Sequence, residues 1–300
     1  MRQLRIGSAE LTVKDYHCAG PDGVYIPKDS PKLWLYIHLT NRCNARCPFC
    51  VNPSANGAGR EISLPALRDT LEKIRDAVGG VSITGGEPML VPELVDETAL
   101  AVTEILGREI QLELVTNGTK LPEIGALKTQ SRFSAIHISR HLVGDAANGA
   151  LMGVRTPSWP RLRAFLSELD DPAGIVLNCV LQKGGVDSVE AVRSYLEMAA
   201  WAGVKNVSFI GMFRANDYCR EHYVSPEVLD FTDAPGFTVW NRFRDHDCCS
   251  CSGGDYRSEN GYIRYYFRCP GAGRAEYVRQ LVYDSDDRLL AGFGGGQILL

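Results

Sequence analysis

Between residues 34 and 211 short β-rich runs alternate with longer segments of helical spacing, and that order leaves few folds open. The strand candidates are 34–39, 81–84, 110–116, 135–139, 175–181 and 207–211. The segment 64–78 places Leu64, Leu67, Leu71, Ile74 and Val78 at helical intervals, with Pro65 at its start and Gly79-Gly80 past its end. Segments 92–106, 159–169 and 188–202 read the same way, with a weaker one at 122–128. Strand–helix alternation predicts a parallel sheet with right-handed crossovers. The fold class expected is α/β, a partial (β/α)6 TIM-like barrel spanning 34–213. Residues 1–33 are expected to form a hairpin cap. Residues 214–300, richer in cysteine, aromatic residues and glycine, are expected to form a small C-terminal β-hairpin module.

In such sheets ligands bind at the carboxyl ends of the strands. The residues suited to chemistry fall there. Cys43, Cys47 and Cys50 follow the first strand, and Gly85-Gly86-Glu87-Pro88 follows the second. Thr116-Asn117-Gly118 ends the third, Ser139-Arg140-His141 the fourth, and Gly211 the sixth, while Asn178 lies within the fifth. This agreement points to one shared site.

Three thiolates on one short loop suit three corners of a cubane iron–sulfur cluster and leave its fourth iron without a protein ligand. Clusters built for electron transfer are normally held by four cysteines, so an open corner implies a further ligand there. The chain has ten cysteines, and no apolar run in it approaches a bilayer span or the core of a signal peptide, which places it in the cytoplasm. Disulfides are rare in that compartment, so metal ligation is the better reading for the clustered cysteines, while Cys179, inside an apolar run, reads as core. The net charge of −4 supplies no excess cation for a phosphate backbone, so a polymeric nucleic acid is not an expected partner, and neither is a membrane.

The run Cys43-x3-Cys47-x2-Cys50, with Phe49 before its last cysteine, and Gly85-Gly86-Glu87-Pro88 one strand later, resembles the paired signatures of the radical S-adenosylmethionine (SAM) superfamily. The resemblance spans roughly residues 34–212 and implies a mechanism. Cys43, Cys47 and Cys50 hold a [4Fe–4S] cluster, and SAM chelates the open iron. An electron, from a donor such as flavodoxin or ferredoxin, cleaves SAM to a 5′-deoxyadenosyl radical that takes a hydrogen atom from substrate. Gly85 and Gly86 are then expected to let backbone approach the ligand, and Glu87 to accept from the SAM ammonium, with Pro88 completing the motif. Phe49 is expected near the adenine. Ser139 and Arg140 are candidates for the ribose hydroxyls and the carboxylate. Asn117 suits a ligand hydrogen bond or a turn, and Asn178 a buried hydrogen bond or a SAM contact. Ile210, at the end of the sixth strand, joins the cofactor-binding candidates. His141 suits proton transfer beside the substrate or a satisfied structural role.

A second group, Cys248-Cys249-Ser250-Cys251 with Cys269, offers Cys248, Cys251 and Cys269 as ligands, with Cys249 as an alternative. Between them Asn260-Gly261 signals a hairpin, and 262–268 reads as strand. This is similar to the C-terminal module of the GTP 3′,8-cyclase (MoaA-like, twitch/SPASM) branch, which implies an auxiliary iron–sulfur cluster; structural zinc and no metal are the competing readings. The spacer is longer than in that branch, Cys249 intervenes, and the chain does not end on glycines, so GTP is not assigned as substrate. The leading expectation is a radical SAM enzyme that cyclises, rearranges or dehydrogenates a small molecule. The alternatives are a maturase for a ribosomally made peptide and a non-catalytic iron–sulfur protein.

Overall fold

A computed structural model describes residues 2–13, 32–52, 56–225, 229–231, 233–242, 252–268, 277–278, 280–293 and 296–300. The strands are β1 (Arg2–Ile6), β2 (Ala9–Val13), β3 (Leu33–His38), β4 (Thr40–Arg42), β5 (Asn56–Glu61), β6 (Val78–Thr84), β7 (Gln111–Thr116), β8 (Ala135–Ser139), β9 (Ile175–Val180) and β10 (Asn206–Ile210), followed by β11 (Phe237–Arg242), β12 (Ser252–Ser258), β13 (Gly261–Arg268), β14 (Gln280–Tyr283) and β15 (Leu289–Ala291). The helices are α1 (Leu64–Ile74), α2 (Pro92–Leu106), α3 (Leu121–Gly125), α4 (Asp145–Met152), α5 (Trp159–Glu168), α6 (Val189–Ala202) and α7 (Asp217–Glu221).

Eleven strands form one sheet in the order β11-β12-β13-β10-β9-β8-β7-β6-β3-β14-β15. From β13 through β14 every neighbouring pair is parallel. The six strands expected from the sequence are therefore the centre of the sheet, in chain order. Among the described residues the strands after residue 214 form no sheet of their own. Instead, β13 lies parallel to β10 on one side and β14 parallel to β3 on the other. The hairpin expected forms, but its two-residue loop is Glu259-Asn260, one residue before the Asn260-Gly261 turn read from the sequence, and Gly261, at positive φ, opens β13. Cys248, Cys249, Cys251 and Cys269 lie outside the described residues.

Local chemistry explains the helix limits. Ser63, Ser158 and Ser188 cap α1, α5 and α6, their side chains accepting from Ala66, Arg161 and Ala191 backbone N–H groups. On α1, Leu67, Leu71 and Ile74 are buried as the spacing requires, each contributing about 1.5–3 kcal/mol of burial. Gly79-Gly80, expected as a helix stop, belongs instead to β6, which begins at Val78. A Cβ at Gly80 would collide with the Trp34 indole, so the glycine serves cross-strand packing. Helix α4 and the hairpin β4–β5 were not legible as periodic segments.

Each central strand presents one apolar face. Leu35, Ile37, Val81, Ile83, Leu112, Leu114, Ile136, Leu177 and Phe209 pack into the core with helix residues such as Leu67, Val95 and Leu196. The other face is polar. Trp34 Nε1 donates to Ser82 Oγ (2.8 Å), Ser82 Oγ donates to Glu113 Oε2 (3.2 Å), and His137 Nδ1 meets Asn178 Oδ1 at 3.0 Å. The sheet curls over this polar face. Five strand steps separate β3 from β10, about 24 Å if flat. Yet the Phe293 ring lies 4.8 Å from Tyr36 on β3 and 6.3 Å from Phe213, three residues past β10.

Candidate active site

The cysteine loop leaves β3 at the carboxyl edge and is fixed from four sides. Gly86 N–H donates to Thr40 O (2.7 Å) and Glu87 N–H to Arg42 O (2.8 Å), joining the end of β6 to the start of the loop. Asn117 Nδ2 donates to Asn44 Oδ1 (2.7 Å), and Asn44 Nδ2 donates to Thr119 Oγ1 (2.9 Å). Arg46 N–H donates to Met152 O at the end of α4 (2.7 Å). Asn216, the cap of α7, donates from Nδ2 to Pro48 O (2.9 Å) while its Oδ1 accepts from Cys219 N–H.

Cys43, Cys47 and Cys50 are free thiols held close to one another by this frame. Burial pushes all three thiols up, Cys47 to about 12, and the neighbouring sulfurs add to the effect at Cys47. Burial and mutual repulsion oppose the thiolates until a bound cation offsets them. Among the described residues no three His, Cys, Asp or Glu side chains converge on a single-ion site.

The glycine-rich motif works differently from expectation. At Gly85, φ is +137° and a Cβ would lie 2.6 Å from Thr40 O; at Gly86 it would lie 2.5 Å from the Arg42 carbonyl carbon and 3.1 Å from Cys43 N. The close approach that glycine permits is to the cysteine loop's own backbone, not to a ligand. Glu87 is 1% exposed and both its oxygens are occupied. Oε1 accepts from Thr116 Oγ1 (2.6 Å) and Met89 N–H (3.0 Å), and Oε2 accepts from Asn117 N–H (2.6 Å). Burial lifts its carboxyl to about 7 against the pull of these donors. Glu87 is therefore a hub that ties β7 to the motif, not a carboxylate open to an ammonium. Pro88 is buried and opens a short turn, Pro88–Leu90.

Arg140 is likewise committed. Its guanidinium donates to Pro157 O (2.9 Å), Val143 O (2.8 Å) and Asp145 Oδ1 (2.6 Å), and it stacks 4.0 Å from the Trp159 ring centroid. It has four chain partners and is 3% exposed, with Nε alone lacking a hydrogen bond. His141 is buried, and its Nδ1 accepts from Val180 N–H (3.1 Å). Burial, then the Arg140 charge, lowers its pKa to about 3, which favours the neutral ring near neutral pH. Phe49 meets the His141 ring edge-on at 4.8 Å and packs with Met212 and Cys219. Ser139 and Asn178 stand side by side in register at the ends of β8 and β9. Ile210 O accepts from Leu181 N–H (2.9 Å) at the end of β10. Cys179 is core, as read. Asn44, Thr119, Asn216 and Cys219 were not among the expected site residues. Only Asn44, inside the cysteine loop, carried a local signal.

The neutral state of His141 has a measurable consequence. Its folded pKa lies below the unfolded 6.5, so its contribution is intact above about pH 6.5 and is lost as pH falls toward 3. We expect wild-type urea stability to lose about 2 kcal/mol more than His141→Asn between about pH 6.5 and about pH 5. Parallel profiles for the two proteins would contradict the assignment.

Residues 37–164 match the family profile of the radical SAM superfamily. This segment is a radical SAM domain. The superfamily uses a [4Fe–4S] cluster and SAM, and the matched segment includes the cysteine loop and the Gly85–Pro88 motif. A PqqA peptide cyclase from Methylorubrum populi is 31% identical over 182 residues, 58% of this chain and 44% of the cyclase. Streptococcus suis SuiB bound to S-adenosylmethionine superposes with a TM-score of 0.58 at 18% identity, covering 87% of this chain and 60% of SuiB. The chain thus spans less than two thirds of either relative, and the SuiB likeness extends the shared fold beyond the radical SAM domain. No helix among the described residues is long and apolar enough to cross a membrane.

Proposed function

We propose that this chain is a radical SAM enzyme that modifies a peptide, built as a curved partial (β/α)6 barrel with its site at the carboxyl rim. The observation that carries the enzymatic reading is the cysteine loop, which holds three free thiols and is locked by backbone contacts to Gly86 and Glu87. The contact of Phe293 with both Tyr36 and Phe213 supports the curvature. The peptide reading is preferred to the small-molecule one because of the 31% identity over 182 residues with a PqqA peptide cyclase.

When bound, the cluster and SAM supply reductive formation of a 5′-deoxyadenosyl radical. The chain's residues do the rest. Cys43, Cys47 and Cys50 hold three corners of the cluster. Asn117, through Asn44, and Asn216, through Pro48, keep the loop in place. Ser139, Asn178 and Ile210 at the strand ends are the contacts we assign to SAM, with Phe49 closing the site beside His141. A low-potential donor such as flavodoxin or ferredoxin, and a cytoplasmic setting, belong to this reading.

Anaerobic reconstitution with iron, sulfide, dithionite and SAM is expected to yield 5′-deoxyadenosine. The Cys43/Cys47/Cys50→Ala triple variant is expected to yield none. No product from fully loaded wild-type protein, with candidate peptides present, would count decisively against the reading. About four irons retained by the triple variant would support an auxiliary cluster at Cys248, Cys251 and Cys269, and none would remove it.

A further inference from the structure

On the polar face of the sheet, His137 on β8 and Asn178 on β9 meet side chain to side chain. His137 Nδ1 lies 3.0 Å from Asn178 Oδ1, and His137 is 1% exposed. Asn178 pairs in register with Ser139 at the carboxyl rim, while His137 pairs with Val176, about 7 Å closer to the amino ends of the strands. The imidazole therefore holds the amide from the amino-end side. It is itself held, since Nε2 faces Glu113 Oε2 at 3.4 Å. Glu113 Oε2 in turn accepts from Ser82 Oγ, which accepts from Trp34 Nε1. The contact with Asn178 does not depend on the ring's charge, because a neutral ring and an imidazolium can both carry a proton on Nδ1. Asn178 is 9% exposed, and among the described residues no second hydrogen bond engages its amide. One end of the amide is fixed and the other is left for a partner at the rim. An amide without such a tether turns about its last bond, and a ligand that must order it loses affinity.

We propose that His137 is a positioning residue for SAM: its bond to Asn178 fixes the amide so that the end left free meets SAM at the rim. The proposal rests on the SAM contact assigned to Asn178 above and deepens it. His137 acts through Asn178 and stands outside the loop that holds the cluster.

The test is the dissociation constant for SAM on the reconstituted full chain, read by calorimetry beside iron content and thermal melts. Asn178→Ala and His137→Phe are each expected to weaken SAM about tenfold with iron content unchanged. The Asn178→Ala/His137→Phe double variant should bind no more weakly than either single variant, because both remove the same contact. Side-chain geometry supplies a sharper pair. The Asn side-chain nitrogen is bonded to Cγ, as Nδ1 is, whereas that of Gln is bonded to Cδ, one atom further out, as Nε2 is. His137→Asn should therefore bind SAM within about threefold of wild type, and His137→Gln should fall with His137→Phe, whatever the order of their melting temperatures. This pair carries the test if His137→Phe does not fold. Wild-type SAM affinity in His137→Gln, losses that add in the double variant, or equal affinities of His137→Asn and His137→Gln would overturn the proposal and leave His137 a structural histidine. Wild-type protein that takes up its cluster but binds no SAM would instead overturn the SAM reading on which the proposal rests.

Discussion

Gly86→Ala is expected to yield a protein that retains no iron after reconstitution and melts well below wild type. The added Cβ would press on the Arg42 carbonyl and lie 3.1 Å from Cys43 N, and all of these are backbone atoms. A flexible side chain would swing aside, but backbone cannot. The Gly86 N–H to Thr40 O bond fixes the same two segments, so relief of the clash must move the cysteine loop itself. Overpacking typically costs about 1–3 kcal/mol, and backbone neighbours put this site at or above about 3 kcal/mol. Gly125→Ala is the control, because a Cβ there meets only the Phe165 ring at 3.6 Å and should change stability by less than about 1 kcal/mol. Iron and sulfide content together with thermal melts decide the matter. A Gly86→Ala protein with wild-type iron content would show that the loop tolerates displacement.

Glu87→Ala comes second in expected size. Removing the carboxylate strands the Thr116 hydroxyl and the Asn117 and Met89 N–H groups in a buried place. Each unsatisfied group costs about 1–3 kcal/mol, so a loss of about 3–6 kcal/mol is expected, with water reaching part of the gap. Asn117 also holds Asn44 in the cysteine loop, so iron retention should fall with stability. Glu87→Gln should recover only part of the loss, since one end of the amide presents a donor where the chain already supplies donors. Urea unfolding of all three proteins measures this order. If Glu87→Gln matches wild type, the carboxylate is not the acceptor described here.

The parallel sheet and its helices were legible because period is a local property. The caps Ser63, Ser158 and Ser188 and the apolar stripe of α1 announce themselves within a few residues. The cysteine loop was equally local, since its three cysteines share eight residues. What escaped reading was partner choice. Arg140 and Glu87 have side chains suited to SAM, and nothing near them in sequence reveals that Asp145, Pro157 and Trp159, or Thr116 and Asn117, already satisfy them. Residues 252–268 read as a separate hairpin because a hairpin is all that local turn chemistry specifies. Their parallel pairing with β10 is a long-range event. Gly80 looked like a helix stop because its actual partner, Trp34, lies far upstream.

The tie between Asn216 and Pro48 joins groups 168 positions apart. A ribosome adds residues in order, so the cysteine loop emerges long before its last anchor is made. During that interval three thiols sit on a loop secured on fewer sides, open to oxidation and to stray metals. Maturation of the cluster is therefore best timed after synthesis has passed α7, and a chain truncated before Asn216 should accept iron but shed it quickly.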